Sequence, residues 1–169
     1  RWLATWCCPQ STRRSRSRWP GHRLAAGVVP RLLDMGCEPF LIASSLLGVM
    51  AQRLVRVLCP HCKVPYEATD IELASLGITR EQADRGQICK AIGCNQCNQK
   101  GYIGRSVVSE LMLMSEEVRQ LILQRKDGNT IKKIAVDGGM TPIRLDGVRK
   151  VLQGITTIEE LVANTQEDT

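Results

Sequence analysis

Cys59-Pro-His-Cys62 and, beyond residues 63–93, Cys94-Asn-Gln-Cys97-Asn-Gln-Lys-Gly101-Tyr102-Ile-Gly104-Arg105 form the stretch on which the reading of this sequence turns. Each C-x-x-C knuckle can turn two thiolates toward one point, and two knuckles supply four. Zinc takes four thiolates at about 2.3 Å in a closed structural site, and paired knuckles are a common way to build one. Structural zinc is therefore the reading of Cys59, Cys62, Cys94 and Cys97; buried thiol pairs, a redox pair and an iron–sulfur cluster are the rival uses of such cysteines. The gap exceeds the roughly 15 to 20 residues of the simplest ribbons, so a small subdomain has to fill it. Thr69 with Glu72 and Thr79 with Gln82 have capping-box spacing and predict two short helices there, divided by Gly77. Bound zinc contributes on the order of 10 to 16 kcal/mol of apparent folding free energy, as much as the net stability of a whole domain. The subdomain is thus expected to unfold without metal. His61 and Cys89 are expected to be spectators, and Cys37 a small apolar packing residue.

Upstream, Leu24, Val28, Leu32 and Met35 recur at helical spacing as far as Gly36, which suits a C-terminal cap. Glu38 and Pro39 suit the first turn of a second, longer helix. Residues 40–58 are apolar on nearly every face until Gln52, Arg53 and Arg56, and are expected to continue that helix. Downstream, alternation over residues 107–114 with β-branched residues at the start predicts a strand. Ser115 is placed to cap a helix carrying Val118, Leu121 and Ile122, and Asn129 to cap the next, over 130–137. Helices are also expected over 142–153 and 157–163, the last with a capping box of Thr156 and Glu159, and the tail from Gln166 is expected to fray.

The chain has 169 residues, 43% hydrophobic and 24% charged, which excludes wholesale disorder. Its net charge of +6 is confined to residues 1–24, where Arg1, Arg13, Arg14, Arg16, Arg18 and Arg23 stand with no acid; beyond them bases and acids balance. The tryptophans, Trp2, Trp6 and Trp19, also fall in this leader, and Cys7 and Cys8 lie there too. Only Phe40, Tyr66 and Tyr102 remain as aromatics, too few for a base-stacking surface, so nucleic acid is not the expected partner. The longest uncharged apolar stretch, residues 39–51, falls short of the ~20 residues of a membrane span, and the leader lacks the apolar run of a signal peptide. The expectation is a cytoplasmic chain, in which cysteines are first metal ligands. The leader shows neither period 2 nor period 3.6 and is expected to have no core.

The second knuckle, with its continuation through Gly101-Tyr102-Ile-Gly104-Arg105 to Glu110, resembles the C-terminal region of the hexameric secretion ATPases: general secretion pathway protein E of type II secretion and the type IV pilus assembly ATPase. The resemblance extends through Arg31-Leu-Leu-Asp-Met-Gly36, Glu38-Pro-Phe-Leu41 and Ala51-Gln-Arg-Leu-Val-Arg56, and downstream through Asp146-Gly-Val-Arg-Lys-Val151 and Gly154-Ile-Thr-Thr-Ile-Glu159. It implies an α+β, mostly helical fold: the C-terminal part of a RecA-like secretion ATPase, with a tetracysteine zinc subdomain and a small helical C-terminal subdomain. The expected division is an unstructured leader over 1–24, a helical remnant of the ATPase core over 25–58, the zinc subdomain over 59–105, and a strand with helices over 106–165. The resemblance also implies a homo-hexamer at the cytoplasmic face of the inner membrane, working with platform proteins there. It makes Gln52 and Arg53 candidates for contacting the core or a neighbouring subunit. Arg105 and Glu110 are expected to form an ion pair.

A phosphate-binding loop needs Gly-Lys followed by Ser or Thr. No Gly-Lys dipeptide occurs in this chain, so ATP and Mg are expected only in the full-length protein and this chain alone is expected to be inactive. The leader departs from the family's pattern. Back-translating residues 2–13 and reading from the third base of each codon permits Gly-His-Leu-Val-Leu-Ser-Thr-Val-His-Thr, which resembles the family's histidine-containing segment. A frameshifted leader, with the family's frame restored near Ala25, is the expectation. The alternative to a motor fragment is a free-standing zinc-binding protein-interaction module.

Overall fold

The computed structural model describes residues 24–165, together with the backbone of residues 3–7 and 14–17. Two units interleave along the chain. The described residues of Arg1–Gln52 join Ser109–Ile143 in the first, and those of Arg53–Val108 join Arg144–Thr169 in the second. The contiguous blocks expected from the sequence differ from this division, because two long strands each run through both units and carry the chain from one to the other.

In the first unit, β1 (Leu3–Cys7) pairs antiparallel with β2 (Arg14–Ser17) and with β3 (Leu46–Leu58). The expectation of no regular structure in the leader is corrected at these two segments: a strand edge is satisfied by backbone N–H and C=O groups, which need no apolar period. The rest of the leader, the frameshift idea and the fraying tail fall outside the described residues. Helix α1 (Val28–Asp34) buries Val28, Val29 and Leu32, and Gly36 follows at φ +83°, the left-handed geometry expected of it. Helix α2 (Pro39–Ser45) starts on its proline and stops at Ser45.

The long helix expected over 40–58 is therefore corrected, since its larger part is β3. A continuous apolar run does not distinguish a buried helix from a buried strand. Here Val49, Val55 and Val57 favour extended backbone, and Gly48 admits its neighbour closely: a Cβ at that position would lie 3.0 Å from the carbonyl oxygen of Met112. Strand β6 (Tyr102–Leu113) completes a sheet of order β2-β1-β3-β6. The bonds Cys59 N to Gly101 O and Met114 N to Leu47 O run β3 and β6 antiparallel.

Helix α5 (Glu116–Leu123), capped by Ser115 as expected, packs on α2 and on α6 (Gly128–Asp137). The first core gathers Val29, Ile42, Val49, Met112, Ile122 and Ile131. The cap of α6 is Asp127 rather than Asn129; its carboxylate accepts both the Asn129 and the Thr130 N–H at 3.0 Å. The expected Arg105–Glu110 ion pair is also corrected. Glu110 is 2% exposed and its two oxygens accept the N–H groups of Ala25 and Ile143, while Arg105 is exposed.

In the second unit β4 (Lys63–Pro65) and β5 (Cys89–Ala91) pair antiparallel. Between them, α3 (Asp70–Leu76) and α4 (Arg80–Asp84) carry both expected capping boxes, and Gly77 ends α3 at φ +70°. Helices α7 (Ile143–Leu152) and α8 (Ile158–Thr165) close the chain, and α8 packs on α3. Leu73, Leu76, Ile88, Val148, Val151 and Leu161 form the second core. The residue that caps α8 is Thr157, whose hydroxyl accepts the Glu160 N–H at 3.2 Å; the expected cap, Thr156, is buried with its hydroxyl unpartnered.

Candidate metal centre

The first knuckle is the end of β3. Leu58 is held by its N–H to the Ile155 carbonyl at 2.8 Å, and Cys59 by its N–H to the Gly101 carbonyl at 2.9 Å. The Cys59 carbonyl then accepts from Cys62 at 3.3 Å and Lys63 at 3.0 Å, closing the turn that leads into β4. Pairing of Lys63 with Ala91 brings the end of β5 alongside. From there the chain makes a second turn of the same kind, in which the Cys94 carbonyl accepts from Cys97 at 3.2 Å and Gln99 at 2.9 Å. Asn98 and Gln99 both take positive φ, and Gly101 follows at φ +75°. A side chain at Gly101 would put its Cβ 2.6 Å from that of Ala91, so the position needs glycine for space as well as for conformation.

Two strand pairings thus deliver four sulfurs to one place. The Sγ atoms of Cys59, Cys62, Cys94 and Cys97 all lie within 4.8 Å of one another. Cys59 and Cys94 are 3.8 Å apart, Cys62 and Cys97 3.8 Å, and Cys94 and Cys97 3.7 Å. Four thiolates at about 2.3 Å from a central ion stand roughly 3.8 Å apart along the edges of a tetrahedron. The cluster fits a four-coordinate metal ion.

Backbone donors around the cluster favour ionised sulfur. The Cys97 sulfur accepts the N–H of Cys94 at 3.2 Å and of Gly101 at 3.1 Å. Burial resists its ionisation, but these donors outweigh burial and hold the thiol down at about 6. Cys62 shows the reverse: burial, with the three neighbouring sulfurs, pushes it up to about 11 against the N–H of Gly93. The N–H donors thus favour a thiolate on Cys97, while burial disfavours one on Cys62.

All four cysteines expected as ligands come together, and among the described residues no other cysteine joins them. Cys89 is buried with its thiol turned to the Gln87 carbonyl at 3.6 Å, His61 is exposed outside the cluster, and Cys37 packs against the first core. Gln52 and Arg53 lie half-buried in β3 rather than on a helix, with the Arg53 guanidinium donating to the Asn164 carbonyl. One buttress of the centre was missed in the sequence. Arg56 lies over the Tyr102 ring, 4.1 Å from its centroid, and binds Glu160, while the Tyr102 hydroxyl meets that of Thr157 at 3.0 Å. This fixes the residue next to Gly101. The sequence signal for it is the acid pair Glu159-Glu160 at the start of α8, of which Glu159 fits capping-box spacing.

Among the described residues no helix is long and apolar enough to cross a membrane. Residues 22–163 match the model of the type II/IV secretion system protein family, and the chain belongs to that family. Over 144 residues it is 46% identical to type II secretion system protein E of Pseudomonas aeruginosa. Over 143 residues it is 47% identical to type II secretion system ATPase E of Vibrio cholerae and 43% identical to type IV pilus assembly ATPase PilB of Thermus thermophilus. Each match covers 85% of this chain, but only 28%, 28% and 16% of the respective relatives. The chain therefore spans less than a third of the length of these relatives.

Proposed function

We propose that this chain is the zinc-bearing C-terminal region of a motor ATPase that powers assembly of a type II secretion pseudopilus or a type IV pilus. Family membership supports the motor. The observation that carries the zinc is the set of sulfur separations, each the edge of a tetrathiolate tetrahedron. Zinc in such a closed site supplies cohesion and leaves no open position for a reacting molecule. This chain's own residues turn the two knuckles toward each other and donate N–H groups to the sulfurs. In the longer protein, ATP and Mg would bind on a RecA-like core, subunits would form a hexamer at the cytoplasmic face of the inner membrane, and this region would transmit motion to platform proteins. Gln52 and Arg53 are the proposed contacts to that core or to a neighbouring subunit.

Metal analysis of the purified chain should find one zinc per molecule, and Cys59→Ser or Cys97→Ser should lose it. Stoichiometric iron, or a folded chain without metal, overturns the zinc reading. No ATP turnover above background is expected from this chain, which has no Gly-Lys to cradle phosphates; hydrolysis that survives stringent purification would overturn the assignment of catalysis to another part of the protein.

A further inference from the structure

We propose that the tetracysteine centre is also a redox switch, in which hydrogen peroxide converts the four thiolates into two disulfides that join one knuckle to the other, Cys59 to Cys94 and Cys62 to Cys97. The inference rests on the zinc reading above and concerns the regulation of that same site. In each pair a partly exposed cysteine stands against a buried one: Cys94 against Cys59, and Cys62 against Cys97, with both sulfur pairs at 3.8 Å. The partly exposed member is the one a small oxidant in solution reaches. The buried member is placed to attack it afterwards.

Geometry decides between the two neighbours of Cys94. Cys97, 3.7 Å away in the same knuckle, is also the sulfur that Cys62 meets, at 3.8 Å. Pairing Cys94 with Cys59 leaves Cys97 for Cys62, so both disulfides form across 3.8 Å and cross between knuckles. The steps balance. The Cys94 thiolate attacks one oxygen of peroxide, the O–O bond breaks, and a sulfenic acid and hydroxide form. The Cys59 thiolate then attacks the oxidised sulfur and expels a second hydroxide. Two thiolates have lost two electrons and one peroxide has gained them. A second peroxide does the same for Cys62 and Cys97. Disulfide sulfur no longer serves as a ligand, since it is the thiolate that binds metal, so oxidation frees the ion while the new bonds keep the knuckles joined.

Trypsin cleaves after Arg56, Lys63, Lys90 and Lys100, placing the knuckles on separate peptides, 57–63 and 91–100. The zinc-loaded full chain is treated with hydrogen peroxide, zinc release is followed with a chromophoric chelator, and the unreduced digest is read by mass spectrometry. The switch predicts near-complete zinc release at about two peroxides per chain. It also predicts recovery of the two peptides as one species held by two disulfides, and recovery of bound zinc after dithiothreitol and added zinc. Retention of zinc under peroxide, disulfides confined within each knuckle, or sulfinic acids in place of disulfides would overturn it while leaving the zinc reading intact. A reduced chain that holds no zinc before peroxide is added overturns both.

Discussion

At Glu160, 8% exposed, one carboxylate oxygen accepts the Arg56 N–H at 3.0 Å while the other receives the Arg56 Nε at 2.7 Å and its terminal nitrogen at 2.6 Å. Burial works against the charge, but the Arg56 side chain and main chain outweigh it and hold the carboxyl below its ordinary value near 4.5. A folded value below the unfolded one means that the group stabilises the fold above about pH 4.5 and loses that contribution as pH falls through the folded value. Arg56 is half-exposed and recovers water when unpaired, so Glu160→Gln should cost about 1–2 kcal/mol at pH 7, less than a fully buried pair would. Urea midpoints of the two zinc-loaded proteins should differ at pH 7, and the difference should narrow at high salt, which screens a half-exposed pair. A difference that salt leaves unchanged would show that Glu160 acts through packing and not through charge. The clustering of the four cysteines was legible from spacing alone, because a knuckle is a local turn; Glu160 was not, because its partner is distant in sequence and only the fold brings them together.

The same contrast separates the elements. The caps of α3 and α4 were legible because Thr69 with Glu72 and Thr79 with Gln82 each complete their bonds within four residues. Strand β3 was not, since its apolar run suits either state and the choice is made by pairing with β1 and β6. The cap of α8 shifted by one residue for a related reason: Thr157 is fixed by Tyr102, and Glu160 is taken by Arg56. A further long-range contact joins the turn after α4 to the end of α7. A Cβ on Gly86 would lie 2.7 Å from the Leu152 Cβ and 2.8 Å from its carbonyl oxygen, and the next residue, Gln87, donates its N–H to that same carbonyl at 2.6 Å. Gly86→Ala would stiffen the unfolded chain by about 0.4–1 kcal/mol, but crowding of this kind costs about 1–3. A net loss of roughly 1 to 2 kcal/mol is expected, read as a lower urea midpoint with unchanged slope. An unchanged or higher midpoint would mean that the backbones of Gly86 and Leu152 are not in contact.

For the molecule as a whole, the consequence of two separate cores is that metal should matter unequally. The first core, around Val49, Met112 and Ile122, contains none of the four clustered cysteines, whereas the second unit contains all of them. The second core rests on short helices and the small β4–β5 sheet. A contribution on the order of 10 to 16 kcal/mol from bound zinc is as large as the net stability of an entire domain, so removing it should unfold the second unit outright. Hydrogen exchange on the zinc-loaded chain, before and after a zinc chelator in excess, tests this amide by amide. Protection should collapse over 57–66, 88–101 and α8, while α5 and α6 keep most of theirs. Strands β3 and β6 belong to both units, so the loss should grade along each, greatest near Cys59 and Gly101 and least near Leu47 and Met114. Equal loss in α5 and α6 would show that the two cores fold as one cooperative block. Protection unchanged around Cys59 and Cys97 would remove the structural role of the metal, and the close approach of the four sulfurs would then need another cause.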